Sequence, residues 1–320
     1  MVEMTPQQFA ALLATEKLTA PVYCQTAVAG RGIPVAVLEQ PPGGSRNAPL
    51  ILLFLGAIKN EPGRQPVFLG DFLRSPGATL LSIYDPSLEK HDDIRMAWYQ
   101  GDEELDVAGE LSQLFRTLIK VVKPSRTIFV GGSAGGHAAL LHSHSVADSI
   151  CVVKNPQTII SRAYDVHLTR YCQYCWPQIS KNGGSVTSVI FDDVTSLYGE
   201  GHDNTVIYLQ NSTDRIHIEN HMTPFLNNVK SLHNVLLMCE FFSSHLGHDY
   251  PKPLWLRWVN AALSAASTSV DSIIRAFQTV SLGDGEPPAQ VKGVMTDMQI
   301  TDRLVASARK DISKEGTDVC

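Results

Sequence analysis

Residues 129–138 read FVGGSAGGHA, which sets Ser133 between two glycine pairs. The apolar run TIFV precedes it and an alanine-rich stretch follows, so the serine falls where a strand ends and a helix begins. Gly131 and Gly135 stand two residues to either side of it, giving the pattern G-x-S-x-G. On a tight strand-to-helix turn, small neighbours let adjacent backbone approach closely, and the turn lifts the hydroxyl above the sheet edge. The helix N-terminus that follows favours developing negative charge. The plainer alternatives are a glycine-rich turn with an incidental serine, or a phosphate-binding loop. A serine hydroxyl is a weak nucleophile until a base takes its proton. That base is usually a histidine oriented by a carboxylate.

Two later stretches could supply these groups. After the strand-like TVIYLQN comes STDRIHIENH, which places Asp214 just past a strand end and ahead of a helix. Aspartate in such a place also caps helices and turns. Glu219 is a second acid, and Asp192 and Asp193 are less well placed. After NVLLMCEFF comes SSHLGHDYPKP, where His245 and His248 again follow a strand. Spacing alone leaves open which of the two imidazoles faces Ser133. His137 reads as a packing residue, and His142 and His144 as surface or helix-face residues. His217 and His221 flank the acid.

The elements that must position these groups alternate in type. Strands are expected at 32–40, 49–56, 78–85, 127–132, 149–155, 205–211 and 234–242. Helices are expected over the first residues and at 101–122, 134–146, 221–232 and 253–277. Strands apolar along their whole length, alternating with helices, imply an α/β fold with a mostly parallel central sheet covered on both faces. The segment 156–203 breaks this rhythm, being rich in Tyr, Cys, Trp, Gly and Asp, and reads as a small cap insertion over the C-terminal edge of the sheet. The main domain is expected over residues 1–282, with a peripheral tail over 283–320.

The element order and FVGGSAGGHAAL resemble the α/β-hydrolase superfamily across roughly residues 30–275. A closer resemblance is to α/β-hydrolase-like proteins of bacterial glycan and capsule biosynthesis clusters. It is carried by LFLGAIKNE (53–61), SIYDPSL (82–88), AWYQG (97–101), VGGSAGG (130–136) and KNPQT (154–158). The resemblance implies the chain order serine, acid, histidine, hence Ser133, Asp214 and His248, with His245 as the alternative base. It also implies an oxyanion hole from the amides of Ala134 and Ala57. Gly56 would let backbone approach the substrate, and Lys59 could orient a polar or anionic one. Trp98, Tyr99 and Trp176 are candidate pocket walls, since substrate clefts favour aromatic surfaces; ordinary packing is the alternative.

Composition narrows the function classes. The 320 residues are 44% hydrophobic and 18% charged with net charge −6, so no basic footprint for nucleic acid is indicated. No run is long and apolar enough for a membrane span. Six scattered cysteines suit a reduced cytoplasmic protein. Cys172-x-x-Cys175 has no second pair nearby to complete a zinc site. Without G-x-G-x-x-G after the first strand, or H-E-x-x-H, no cofactor and no metal are expected. The reading is a serine hydrolase acting on a carboxylic ester or thioester. One alternative is an acyltransferase that O-acetylates a glycan or natural product; another is a non-catalytic scaffold. The expected partner is a small-molecule or glycan-linked acyl substrate, with a homo-oligomer left open.

Overall fold

Nine strands form one sheet in the computed structural model, which describes residues 1–25, 31–59 and 66–280. They are β1 (Val2–Met4), β2 (Val22–Gln25), β3 (Gly32–Glu39), β4 (Leu50–Phe54), β5 (Thr79–Ile83), β6 (Thr127–Gly132), β7 (Ile150–Lys154), β8 (Thr205–Asn211) and β9 (Val235–Glu240). Their order across the sheet is β1-β2-β3-β5-β4-β6-β7-β8-β9. From β5 to β9 all neighbours run parallel. Only β3 is antiparallel to both its neighbours. The parallel strands β4 to β7 are buried almost throughout, as a sheet covered on both faces requires.

The helices are α1 (Pro6–Thr15), α2 (Val107–Val122), α3 (Ala134–His144), α4 (Asp165–Cys175), α5 (Pro177–Lys181), α6 (Val194–Glu200), α7 (Arg215–His217), α8 (Thr223–Asn228), α9 (Lys252–Ser264) and α10 (Val270–Thr279). Helices α1, α2, α3, α6 and α8 share one hydrophobic core with the sheet. Val153 belongs to that core, whereas the next residue, Lys154, lays its ammonium 4.8 Å from the ring centre of Trp255 in α9. Successive strand residues face opposite ways, so α9 covers the other face.

Three expectations change. The N-terminal helix is preceded by β1, and Thr5 closes a capping box with Gln8 between the two. The helix expected over 101–122 begins only at Val107. Asp102 is held in a bidentate pair with Arg31, and Asp106 caps the helix by accepting from Gly109 N. The long helix expected over 253–277 is two helices. Arg126 binds the carbonyls of Ala262, Leu263 and Ala265 at the end of α9, and Ser269 caps α10 by accepting from Ser272 N.

The segment 156–203 carries no strand. Its Ile160, Tyr171, Cys175 and Val186 form a second core with Ile58, Leu88, Met96, Trp98 and Ala134. That core sits on the C-terminal ends of β4, β5 and β6, where Ser133 lies. Further along, Val194 and Tyr198 of α6 join the main core instead. The tail expected over 283–320 lies outside the described residues.

Candidate active site

Ser133 has φ 54° and ψ −123°, a conformation costly for a residue with a Cβ. The turn exists because its glycines leave room. A Cβ on Gly131 would meet Gly135 O at 2.1 Å, and one on Gly135 would meet Phe54 O at 2.3 Å. Both contacts are to backbone, which cannot swing aside. Gly135→Ala should therefore lower stability by about 2–3 kcal/mol, read as a drop in the urea midpoint, because α3 must move away from β4. Ser133 N donates to Lys154 O, and Gln157 N donates to Ser133 O, so β7 and the segment after it brace the turn from outside.

Asp214 follows β8 and His248 follows β9. Asp214 Oδ2 lies 2.7 Å from His248 Nδ1. The other carboxylate oxygen lies 3.0 Å from Nδ1 of His217. Burial would raise the Asp214 carboxyl, but the two imidazoles outweigh it and hold it well below the usual carboxylate range. His217 is fully buried and stacks on His248 with ring centres 4.0 Å apart. A single π-turn, Ile218–Met222, follows α7 and turns His221 inward as well, 5.0 Å from His217. Sequence reasoning weighed His217 only as a base that would depart from the usual chain order, not as a partner of the acid; the only signal for that was its position three residues after Asp214. The helix-cap alternative for Asp214 coexists with the histidine contacts, since His217 N also donates to it at 3.4 Å.

The structure separates the two loop histidines. His245 turns to Ser244 Oγ at 2.9 Å and lies 3.9 Å from Asp249, away from Asp214. Side chains from the neighbouring strands fix this choice. Asn211 Nδ2 donates to His245 O and Asp249 O, and Thr213 Oγ1 accepts from Gly247 N. Asn155 Nδ2 donates to His248 O, and Asn155 Oδ1 accepts from Asn211 N. The residue beside Ser133's backbone partner thus holds the histidine loop. Asn155 lies inside KNPQT, and its φ of 38° marks it as a constrained position. Glu219 is exposed and pairs with Arg215; Asp192 and Asp193 bind insertion backbone.

At the end of β4, Leu55 N donates to Tyr99 Oη and Ile58 N to Arg95 O, while the amides of Gly56 and Ala57 between them have no hydrogen-bond partner among the described residues. An ideal Cβ on Gly56 would lie 3.5 Å from Ser133 Cβ. Ala134 opens α3, and as its first residue its amide has no intrahelical partner. Between these two stretches lies a small apolar recess lined by Gly56, Ile58, Leu88, Met96, Trp98 and Ala134, among others. Trp98 and Tyr99 are both buried and both left-handed, with φ 52° and 58°. Trp98 Nε1 donates to Gln157 Oε1 at 2.6 Å. Tyr99 N donates to buried Asp85, and Tyr99 Oη accepts from Leu55 N at 2.7 Å. The pair therefore braces both the recess and the β4 loop. Trp176 packs on the cap core and is not among the recess walls; Lys59 is exposed.

No protein-family model and no curated protein matches the sequence. Solved structures do. The acylaminoacyl peptidase of Pyrococcus horikoshii matches with TM-score 0.54 at 12% identity, over 81% of this chain and 44% of its own. A puromycin-hydrolyzing peptidase of Mycobacterium tuberculosis matches with TM-score 0.51 at 14% identity, over 77% of this chain and 38% of its own. The capsule O-acetyltransferase of Neisseria meningitidis serogroup A matches at 0.48 and 15%, over 74% and 91%. This chain has the α/β-hydrolase fold. At such identities the likeness speaks for the fold alone, and the chain spans under half the length of the two peptidases.

Within this α/β-hydrolase fold the remaining histidines have structural places. His137 lies buried with its ring nitrogens 3.1 Å from Gln157 O and 3.1 Å from Phe191 O, tying α3 to the insertion. His142, expected at the surface or on a helix face, is buried and stacks on Phe54, because α2 closes over that side of α3. His144 contacts Gly201 O. Cys172 and Cys175 are unpaired, and burial raises both thiols. Tyr164 of the insertion leans over His217 at 6.1 Å between ring centres. Asp214, His217 and His248 could together hold a cation.

Proposed function

We propose that this chain cleaves a carboxylic ester or thioester through an acyl-enzyme on Ser133. What supports the reading is that Ser133, Asp214 and His248 each follow the C-terminal end of a parallel strand, β6, β8 and β9, and that Asp214 is hydrogen-bonded to His248. Because the Asp214 carboxylate stays ionised, His248 Nδ1 carries the proton and its Nε2 lone pair is free to act as base. Ser133 Oγ attacks the acyl carbon while His248 takes its proton. The amides of Ala134 and Ala57 stabilise the oxyanion. His248 then returns the proton to the leaving alcohol or thiol, and water, activated by the same imidazole, releases the acid. His248's side chain is 40% exposed, so water reaches the base, which favours hydrolysis over transfer to an acceptor hydroxyl. A scaffold without chemistry would gain nothing from a strained Ser133 or a buried carboxylate shared by two imidazoles.

The substrate is a small or glycan-linked acyl compound. No helix among the described residues is long and apolar enough to cross a membrane, and the described cysteines are unpaired, which supports a cytoplasmic site of action. A fluorophosphonate probe should add one adduct mass to the wild-type protein and none to Ser133→Ala. A folded wild type that stays unlabelled would overturn the reading. Faster release of the acyl group on adding a sugar acceptor would assign transfer instead of hydrolysis.

A further inference from the structure

We propose that the acyl group carried by Ser133 is a two-carbon one, acetyl, whose methyl fills the recess between the β4 loop and the start of α3. The inference rests on the acyl-enzyme reading above. Ser133 follows β6; Asp214 and His248 follow β8 and β9 on one side of it, and β4 and β5 lie on the other. His248 must protonate the leaving group, so the leaving group points toward β8 and β9. The acyl carbon's remaining substituent then points the opposite way, toward β4 and β5. The recess is there, and its rim carries Gly56 and Ala134, the two stretches that offer amides to the oxyanion.

Size decides the substrate. The recess has room for about one water molecule, which is also about the room a methyl group needs. Ile58, Leu88, Met96 and Trp98 give it apolar walls and are each at most 8% exposed; the buried Asp85, which also lines it, accepts from Ser87 N and Tyr99 N. The walls are also fixed. The Trp98 indole is hydrogen-bonded to Gln157, and the Tyr99 hydroxyl is tied to the backbone of Leu55 and Ile83. A longer chain would have to displace packed side chains, and close-packed interiors resist that.

The test compares two phosphonate esters that place an alkyl group where the acyl chain would lie: p-nitrophenyl methylphosphonate and p-nitrophenyl hexylphosphonate. In each, Ser133 Oγ bonds to phosphorus, the bond from phosphorus to nitrophenolate breaks, and the serine proton passes to His248. Labelling is followed as nitrophenolate release and as intact mass, so it needs no turnover. The methyl compound should label the wild type at least about tenfold faster than the hexyl compound. Met96→Ala, checked for fold by circular dichroism, should narrow that ratio to below about threefold by opening one wall. Equal or faster labelling by the hexyl compound in the wild type would overturn the acetyl assignment and leave the activated serine standing. Labelling by neither compound would overturn the serine mechanism and this inference with it.

Discussion

Replacing Asp214 by asparagine is expected to lower kcat/KM for a small acetyl ester by about 10⁴-fold. The reason is specific to this site. The carboxylate accepts from two imidazoles, His248 at 2.7 Å and His217 at 3.0 Å, one on each oxygen. An asparagine offers one acceptor oxygen and one NH2. Whichever way the amide turns, one ring loses its acceptor. If the NH2 faces His248, the ring must place its proton on Nε2, the atom that has to take the proton from Ser133. His217→Phe keeps the Asp214–His248 bond and a ring stacked on His248, so its loss should be smaller, about 10- to 100-fold, through looser positioning. Single-turnover release of p-nitrophenol in the two variants checks both values. An Asp214→Asn protein retaining more than a tenth of wild-type activity would remove Asp214 from the mechanism.

Acid is expected to unfold the protein through its interior histidines. Burial pulls His137 down to about 4, and His142 and His221 down to about 3. It lowers His217 too, against the pull of Asp214. Each ring stays neutral in the fold but binds a proton in the unfolded chain below its ordinary value of about 6.5. The unfolded state then holds more protons, so stability rises with pH between about 3 and 6.5 and is lost as pH falls through that window. Asp85 works the other way. Burial raises it to about 6 despite donors from Ser87 and Tyr99, so between about 4 and 6 it is the fold that holds the extra proton. Asp214 acts lower still: its contribution is present above about 4 and is lost only on further acidification. Near pH 5 the three most strongly shifted histidines, His137, His142 and His221, outnumber Asp85, and their net difference of about two protons costs about 3 kcal/mol per pH unit. Urea midpoints at pH 7, 6 and 5 should fall accordingly. In His142→Phe, where an aromatic ring still stacks on Phe54, the slope should ease by about 1.4 kcal/mol per pH unit. A flat profile would mean that the fold accepts these protons.

Much of the frame was legible because it is set by local rules. Period and composition marked the seven strands from β3 to β9, since a strand buried on both faces must be apolar throughout. Gly131 and Gly135 around Ser133 announced the turn, since no other residue fits where backbone would otherwise stand 2.1–2.3 Å from a Cβ. The chain order of serine, acid and histidine candidates could also be read directly. The strands β1, at the sheet edge, and β2 beside it could not, because such short strands owe their form to the partners they pair with rather than to their own pattern.

What tertiary structure alone decided is which groups meet. His245 and His248 share one loop, and nothing local distinguishes them. The choice is made by Asn155, Asn211 and Thr213, which reach that loop from the ends of β7 and β8. His217 reaches Asp214 within the single turn of α7 that Asp214 caps; what the tertiary fold adds is His248, whose ring stacks on it at 4.0 Å. The recess beside Ser133 likewise belongs to no single segment. Its walls come from the loops after β4 and β5, the residues before α2 and the first residue of α3, and its size is set by how closely those pieces pack. Sequence period fixes what an element is and which face it buries. Contacts between residues 34 to 93 positions apart, such as Asp214 with His248 and Asn155 with His248, exist only once the sheet has brought its strand ends together.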